Sequence, residues 1–331
     1  MINPKVSIII PTYNRSKYVT KAIESALMQD YSNLEVIVSD NASTDDTPKV
    51  VEKYLNDARF KYFRNEKNLG FVLNWRNALY NHSSGEWILI LHDDDYLIKS
   101  SYISKAIKLV CTHRNISLVH ANYIIEYENS GKIEKSNFAI PEHIDGQNYF
   151  LHYREKGFPH IHSTLTVLFN RSKALKVGAF GRDILNADTS LWLRLMLYGD
   201  IGFIEDHVAV YRVHQGNESF NIMDVKRDVE SINDLKSIYY LAQQCQLRAN
   251  DLNRWLEREL RAIFLWRFMI YLKNKEKKIA WNLFKEYFKR YPKIIKLFLK
   301  PKNLLVFAAT SNEKLVNIYK KIKSFFRKKS Y

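Results

Sequence analysis

At 331 residues the chain exceeds one small domain, and its length suggests two units. Its 46% hydrophobic content is ample for a large core, yet no apolar run reaches the ~18 residues of a membrane span, and the N-terminus enters a strand too soon to hold a signal peptide. Of the net charge of +16, +15 resides in residues 271–331, where 18 Lys and Arg face 3 Asp and Glu; the near-neutral remainder excludes reading the whole protein as a nucleic-acid binder on charge alone.

Val6-Ser7-Ile8-Ile9-Ile10 is an apolar strand stopped by Pro11, and Pro11-Thr12-Tyr13-Asn14-Arg15 follows as a polar loop. Ser16 suits an N-cap, and Tyr18, Val19, Ala22, Ile23, Ala26 and Leu27 recur at helical spacing, predicting a helix over 17–29. Leu34 to Ser39 is a second buried strand, and Asp40 to Asp46 is a turn cluster. Thr47-Pro48 then reads as the cap and first position of a helix to about Leu55. Phe60 to Phe63 is a third strand, and Asn68-Leu69-Gly70 opens a helix to about Tyr80.

The fourth strand, from Trp87 to His92, is apolar throughout except at His92, as a strand buried on both faces should be. It runs into Asp93-Asp94-Asp95. Adjacent carboxylates repel unless a cation gathers them, and strand C-termini are where ligands sit in open α/β sheets. The triplet is therefore compatible with a divalent metal holding a diphosphate, or with an acidic turn capping the next helix. The alternation over these 95 residues implies a parallel sheet covered by helices on both faces. No Gly-x-Gly-x-x-Gly or Walker-type loop is present, so any phosphate needs another counter-charge.

Further on come a helix over Ser101–Val110, a strand from Ser117 to about Tyr127, a hairpin turn at Asn129-Ser130-Gly131-Lys132, a helix beyond Gly146 and a strand from Ser163 to Phe169. Asp188 precedes a helix ended by Gly199; Ile201 to Val213 mixes strand and turn, and from about Asp224 the chain turns helical. Cys111 and Cys245 are far apart without metal-ligand spacing, which fits a reducing cytoplasm.

With these loops identified, about the first 215 residues resemble the family 2 glycosyltransferases. The matching motifs are Pro11-Thr12-Tyr13-Asn14, Val38-Ser39-Asp40-Asn41-Ala42-Ser43-Thr44-Asp45, Asn68-Leu69-Gly70 with Trp75-Arg76-Asn77, and His92-Asp93-Asp94-Asp95. Ala187-Asp188 before Leu191-Trp192-Leu193-Arg194-Leu195, and Tyr211-Arg212-Val213-His214, complete the series in the family's order. The resemblance implies a GT-A fold, an α/β architecture with a mostly parallel sheet flanked by helices, over 1–220, followed by a helical, strongly basic region over 221–331. It also implies inverting transfer of a sugar from a UDP- or dTDP-sugar to a hydroxyl by direct displacement. Three departures stand out: His92 where Asp is frequent, Ala187 where Glu is common, and Ala42 for Gly, which narrows that loop's backbone options.

Carried onto this sequence, the donor site takes in Pro11, Tyr13, Asp40, Arg76, Asp93 and Asp94. Tyr13 would stack on the base unless it merely packs at the rim. Asp40 would accept an imide N–H, suiting uracil or thymine, unless it only forms the turn. Arg76 would reach the nucleotide or diphosphate, or stand as a solvated helix residue. Asp94 would hold Mn²⁺ or Mg²⁺, with Asp93 beside it and His214 completing the metal or phosphate shell or serving structurally. Asp188 would deprotonate the acceptor hydroxyl, a role compatible with capping its helix. His160 and His162 are equally open to an acceptor-cleft or a structural role.

Ile294 to Lys300 and Ile318 to Arg327 mix aromatics with lysines as interfacial helices do, although a solvated basic tail has the same composition. The combined expectation is a cytoplasmic enzyme peripherally associated with the inner face of the membrane, acting on a lipid-linked glycan in bacterial-type surface polysaccharide synthesis. A nucleotidyltransferase would require the missing Gly-rich phosphate loop. A non-catalytic binder of membrane or nucleic acid through the tail would tolerate Asp94→Ala and Asp188→Ala.

Overall fold

The computed structural model describes residues 3–217 and 223–292. The chain divides into two compact units, one of Met1–Asn217 with Ser237–Trp255 and the other of Glu218–Lys236 with Leu256–Tyr331.

The first unit opens with β1 (Val6–Thr12), α1 (Ser16–Leu27), β2 (Leu34–Asp40), α2 (Thr47–Val51), β3 (Phe60–Arg64), α3 (Phe71–Asn77) and β4 (Trp87–Ile90). These four strands lie parallel in the order β3-β2-β1-β4. β1, β2 and β4 are buried along their whole length, as their uninterrupted apolar character requires. Register places Ile8 between Val36 and Leu89, all three sealed from solvent at the centre of the core. Helix α1 covers the sheet with Val19, Ala22, Ile23 and Ala26, the 3.6-residue stripe its sequence spells.

Then come β5 (Tyr96–Leu97), α4 (Tyr102–Thr112), β6 (Ile116–Tyr127), β7 (Ile133–Lys135), β8 (His143–Ile144), α5 (Gly146–His152), β9 (Leu168–Asn170), α6 (Arg171–Lys176), α7 (Ala187–Met196) and β10 (Asp200–Val213). The sheet continues β4-β9-β6-β10-β5, with β7 on β6 and β8 on β10. β9 runs antiparallel to both β4 and β6, so the sheet is parallel in its first half and mixed beyond. The hairpin at 129–132 joins β6 to β7, with Gly131 at φ 64°.

Local boundaries depart from the sequence expectation where side chains intervene. Ser16 and Thr47 are first helical residues rather than caps; Arg15 and Asp46 hold the cap positions. Helix α3 ends at Asn77 and continues as one wide π turn, Ala78–His82. Of the expected strand 163–169 only its end pairs, because Ser163 takes φ 62° and the segment to Val167 turns.

Helices α8 (Val225–Gln244) and α9 (Ala249–Lys273) contribute to both units, and α10 (Lys277–Arg290) belongs to the second. The second unit buries Ile232, Phe264, Phe268, Leu283 and Tyr287, with Phe264 against Tyr287 at 5.0 Å. A buried Asp228–Arg267 pair at 2.6 Å is closed by the Tyr271 hydroxyl, so neither charge is left unmatched. Among the described residues no helix is long and apolar enough to cross a membrane. The interfacial segments expected at Ile294 to Lys300 and Ile318 to Arg327 lie outside the described residues.

Candidate active site

The loops leaving β1 and β2 are stitched together by their own polar residues. Asn14, at φ 53°, accepts from Thr44 N–H at 2.7 Å and donates its backbone N–H to Ser43 Oγ at 2.9 Å. Asp45 Oδ2 accepts from Ser16 N–H at 3.1 Å, and Thr47 Oγ1 from Arg15 N–H at 3.0 Å. Both loops are thereby fixed at the C-terminal mouth of the parallel strands, beside the end of β4.

β4 delivers Asp93, Asp94 and Asp95 into this mouth, all three buried. Burial and the Asp94 charge push the Asp93 carboxyl up to about 8, and the same two causes raise Asp95 well above the carboxylate range. Burial opposes ionisation of Asp94 too, but His214, His92 and Arg15 outweigh it and hold its carboxyl below the usual value. Three neighbouring carboxyls cannot all ionise here without a cation.

Asp94 is held by the far end of β10. His214 Nε2 lies 2.9 Å from Asp94 Oδ2, and Asn217 Nδ2 donates to the same oxygen at 3.3 Å. Gly216 N–H donates to His214 Nδ1 at 3.1 Å, which assigns the proton to Nε2, facing Asp94. His214, expected to complete a metal or phosphate shell, thus commits both ring nitrogens to the protein; Tyr18 stacks on its ring at 4.9 Å. Arg212 donates N–H to Asp95 Oδ1 at 2.9 Å and Nε–H to the Asp94 carbonyl.

Asp188 occupies the second position of α7, where the helix dipole favours a carboxylate, and accepts from Thr189 N–H at 2.6 Å. Burial raises its carboxyl, while Thr189 N–H, His162 and His92 pull the other way. His92 therefore stands close enough to bias both Asp188 and Asp94. Tyr211 reports the same convergence: burial raises its hydroxyl, and Asp95, Asp94 and Asp188 all add to the shift. His162 packs edge-on against Tyr211 at 5.1 Å, on the Asp188 side.

The remaining expected residues are less uniform. Pro11 is buried within β1, and Tyr13, just past the end of that strand, is 37% exposed. Asp40 is fully buried: Tyr62 donates to Oδ2 at 2.6 Å and Ser43 N–H to Oδ1 at 2.8 Å, so the carboxylate already serves the loop. Arg76 is exposed over the Tyr80 ring, lining a depression of about 400 Å³ that includes no residue of the acidic turn. Ala42 adopts φ 66°, the backbone that glycine would supply.

Two residues escaped the sequence reading. Arg15 lies 3.9 Å from Asp93 and donates to the Gly216 carbonyl at 2.6 Å, tying the β1 loop to the chain after β10. Asn217 closes that chain end on Asp94. Their only sequence signal is adjacency, Arg15 directly after Pro-Thr-Tyr-Asn and Asn217 three residues past His214.

A sheet of this order, with an acidic turn at the mouth of β4 and helices on its faces, defines an α/β protein of GT-A type. Residues 7–177 match the family described as Glycosyl transferase family 2, and the chain belongs to that family. It is 32% identical to the UDP-Glc:alpha-D-GlcNAc-diphosphoundecaprenol beta-1,3-glucosyltransferase WfgD of Escherichia coli, over 71% of this chain and 90% of that one. It is likewise 32% identical to the GalNAc(5)-diNAcBac-PP-undecaprenol beta-1,3-glucosyltransferase of Campylobacter jejuni, over 63% of this chain and 65% of that one. Residues 1–349 of Staphylococcus aureus TarS, crystallised with UDP-GlcNAc, superpose with a TM-score of 0.70 at 19% identity, over 99% of this chain and 93% of that one. The sequence match to the whole of TarS, a poly(ribitol-phosphate) beta-N-acetylglucosaminyltransferase, takes in only 20% of that protein.

Proposed function

We propose that this protein is an inverting glycosyltransferase that moves a sugar from a UDP-sugar (dTDP being the other pyrimidine candidate) to a hydroxyl of a lipid-linked glycan. The observation that carries the reading is the acidic turn after β4, where Asp93, Asp94 and Asp95 are buried together and His214 meets Asp94 at 2.9 Å, in a chain of this family. The names of the Escherichia coli and Campylobacter relatives, both acting on undecaprenol-diphosphate-linked glycans, support this acceptor class and favour a UDP-hexose.

In this reading Tyr13, exposed at the end of β1, stacks on the base. Asp40 braces the loop beneath it, and Arg76 reaches the donor from α3. Asp94, steadied by His214 and Asn217, holds Mn²⁺ or Mg²⁺; the unsatisfied charge of the acidic turn fits such an ion. When bound, a divalent cation supplies Lewis-acid stabilisation of a departing diphosphate. Asp188 takes the proton from the acceptor hydroxyl. Its burial makes it a stronger base than a solvated aspartate, and the start of α7 fixes its direction. Direct displacement needs no enzymic nucleophile. The basic C-terminal region holds the enzyme at an anionic cytoplasmic leaflet, where such acceptors would be met.

Thermal-shift titration with UDP and Mn²⁺ against GDP and Mn²⁺ tests the donor assignment. Stabilisation by UDP alone is expected, and none by UDP would overturn it. Asp188→Asn should keep UDP affinity and lose roughly 10²–10⁴-fold in transfer rate, the range for a removed general base.

A further inference from the structure

Helix α7 starts on a residue suited to capping that does not cap. Asn186 holds the N-cap position, yet its side chain makes no capping hydrogen bond. Asp188 explains why: its carboxylate takes Thr189 N–H at 2.6 Å and draws on its own backbone N–H, the two donors that an Asn186 cap would use. The carboxamide is left over. Asn186 is 7% exposed, and neither Oδ1 nor Nδ2, both closed to solvent, has a hydrogen-bond partner among the described residues. A buried amide without partners is costly, so its place two residues before Asp188 calls for a partner that comes with a ligand. A second such group is Ser163 Oγ, in a buried residue held at φ 62° and likewise unpartnered among the described residues. The turn that carries it belongs to the same neighbourhood, since the Asp188 charge bears on His162. Only Ala187, which has no polar side chain, separates Asn186 from Asp188 in the chain.

We propose that Asn186 is an acceptor-binding residue that reads the sugar hydroxyl adjacent to the reacting one: Oδ1 accepts its O–H, and Nδ2 donates to a neighbouring sugar oxygen. This deepens the acceptor reading above and rests on it. A carboxamide offers acceptor and donor atoms side by side in one plane, the set that matches adjacent sugar hydroxyls, each both donor and acceptor. Held this way, the sugar presents its reacting hydroxyl to Asp188 in one orientation, which fixes the linkage formed. Because both carboxamide atoms are covered in the free protein, the acceptor must displace their cover to reach them, an induced step that only a matching sugar offsets.

The test is a cycle in which enzyme and substrate are altered together. The full-length protein is assayed with UDP-hexoses and farnesyl-diphosphate-linked hexoses and N-acetylhexosamines, and product analysis locates the reacting hydroxyl. The accepted sugar is then remade without the hydroxyl next to it. For the wild type this deoxy analogue should lower kcat/KM by roughly 10–100-fold, the cost of leaving a buried polar group unpaired. Asn186→Ala should lose a similar factor on the full acceptor and transfer to the deoxy analogue about as well as the wild type does. Its urea midpoint should match or exceed the wild-type value, since no hydrogen bond of the free protein is lost. Asn186→Ser repeats the cycle should the alanine variant fail to fold. Penalties that multiply, with the deoxy analogue losing the same factor in wild type and variant, overturn the assignment, as does a wild type indifferent to the missing hydroxyl. Transfer to none of these prenyl-linked sugars overturns the acceptor reading itself.

Discussion

Ala42 pays for a backbone shape its side chain disfavours. Its φ of 66° lies in the left-handed region, where a Cβ clashes with the following carbonyl. The loop cannot relax, because Asp40 and Arg64 hold Ser43 on one side and Asn41 is bonded to Asn68 on the other. Ala42→Gly should therefore stabilise the protein by about 1 kcal/mol in urea unfolding, net of the extra chain entropy of glycine; a loss of stability would show that the strain is absent. Glu35 presents the opposite case, a buried charge with every partner supplied. Burial alone would raise its carboxyl, but Lys5 and Lys61, each at 2.8 Å, with Ser7 and Ser84 N–H, bring it down to about 2. A folded value below the ordinary 4.5 stabilises the fold above that pH, and the contribution fades as pH falls from 4.5 towards 2. Both lysines are partly exposed, so Glu35→Gln should cost a discounted 1–3 kcal/mol, roughly, at pH 7. The gap between wild type and variant should narrow in acid unfolding below pH 4.5 and close only as pH reaches about 2.

At the level of elements, the acidic turn is only as well placed as β4, and β4 depends on a close approach to β1. A Cβ on Gly85 would stand 2.5 Å from Ser7 N and 2.6 Å from Ser7 Oγ, and Gly85 N–H itself donates to that hydroxyl at 2.8 Å. Gly85→Ala should force the strands apart, lowering stability by at least about 2 kcal/mol in urea unfolding. UDP affinity should weaken with it, since the displaced strand carries Asp94. Unchanged values for both would mean that β1 yields freely. The same strands explain what the sequence could and could not disclose. β1, β2 and β4 were legible because parallel strands buried on both faces need unbroken apolar runs, and the 129–132 turn because Gly131 takes a positive φ. β9 was legible only in part: three residues pair because β4 and β6 present edges on either side of them, a tertiary cause that no local pattern encodes. In the candidate site, the motifs set Asp94 and His214 apart as residues for one metal or phosphate shell, and what the structure adds is a direct His214–Asp94 contact at 2.9 Å. Arg15 and Gly216 meet across 201 positions of sequence, a pairing visible only once β1 and β10 are folded.

For the whole molecule the open variable is where its charge is presented. Helix α10 has two faces: Ala280, Leu283 and Tyr287 are buried, while Trp281 and Phe288, 46% and 40% exposed, lie among exposed Lys277, Lys278, Lys285 and Lys289. Aromatics flanked by lysines on one exposed face suit the boundary between lipid headgroups and acyl chains, where rings enter and ammonium groups stay with anionic phosphates. If the basic region docks the enzyme on the membrane as proposed, each lysine near the surface contributes on the order of 1 kcal/mol. Replacing Lys277, Lys278, Lys285 and Lys289 by Gln should then weaken partitioning onto phosphatidylserine-containing vesicles by roughly 10²–10³-fold at low salt, and binding to neutral vesicles should change little. Trp281→Ala with Phe288→Ala should weaken binding to both vesicle types, since it removes buried apolar area rather than charge. UDP affinity should stay at the wild-type value in either variant, because neither alters a residue assigned to the donor site. Co-sedimentation measures each arm, and partitioning that ignores both sets of substitutions would detach α10 from the membrane reading altogether.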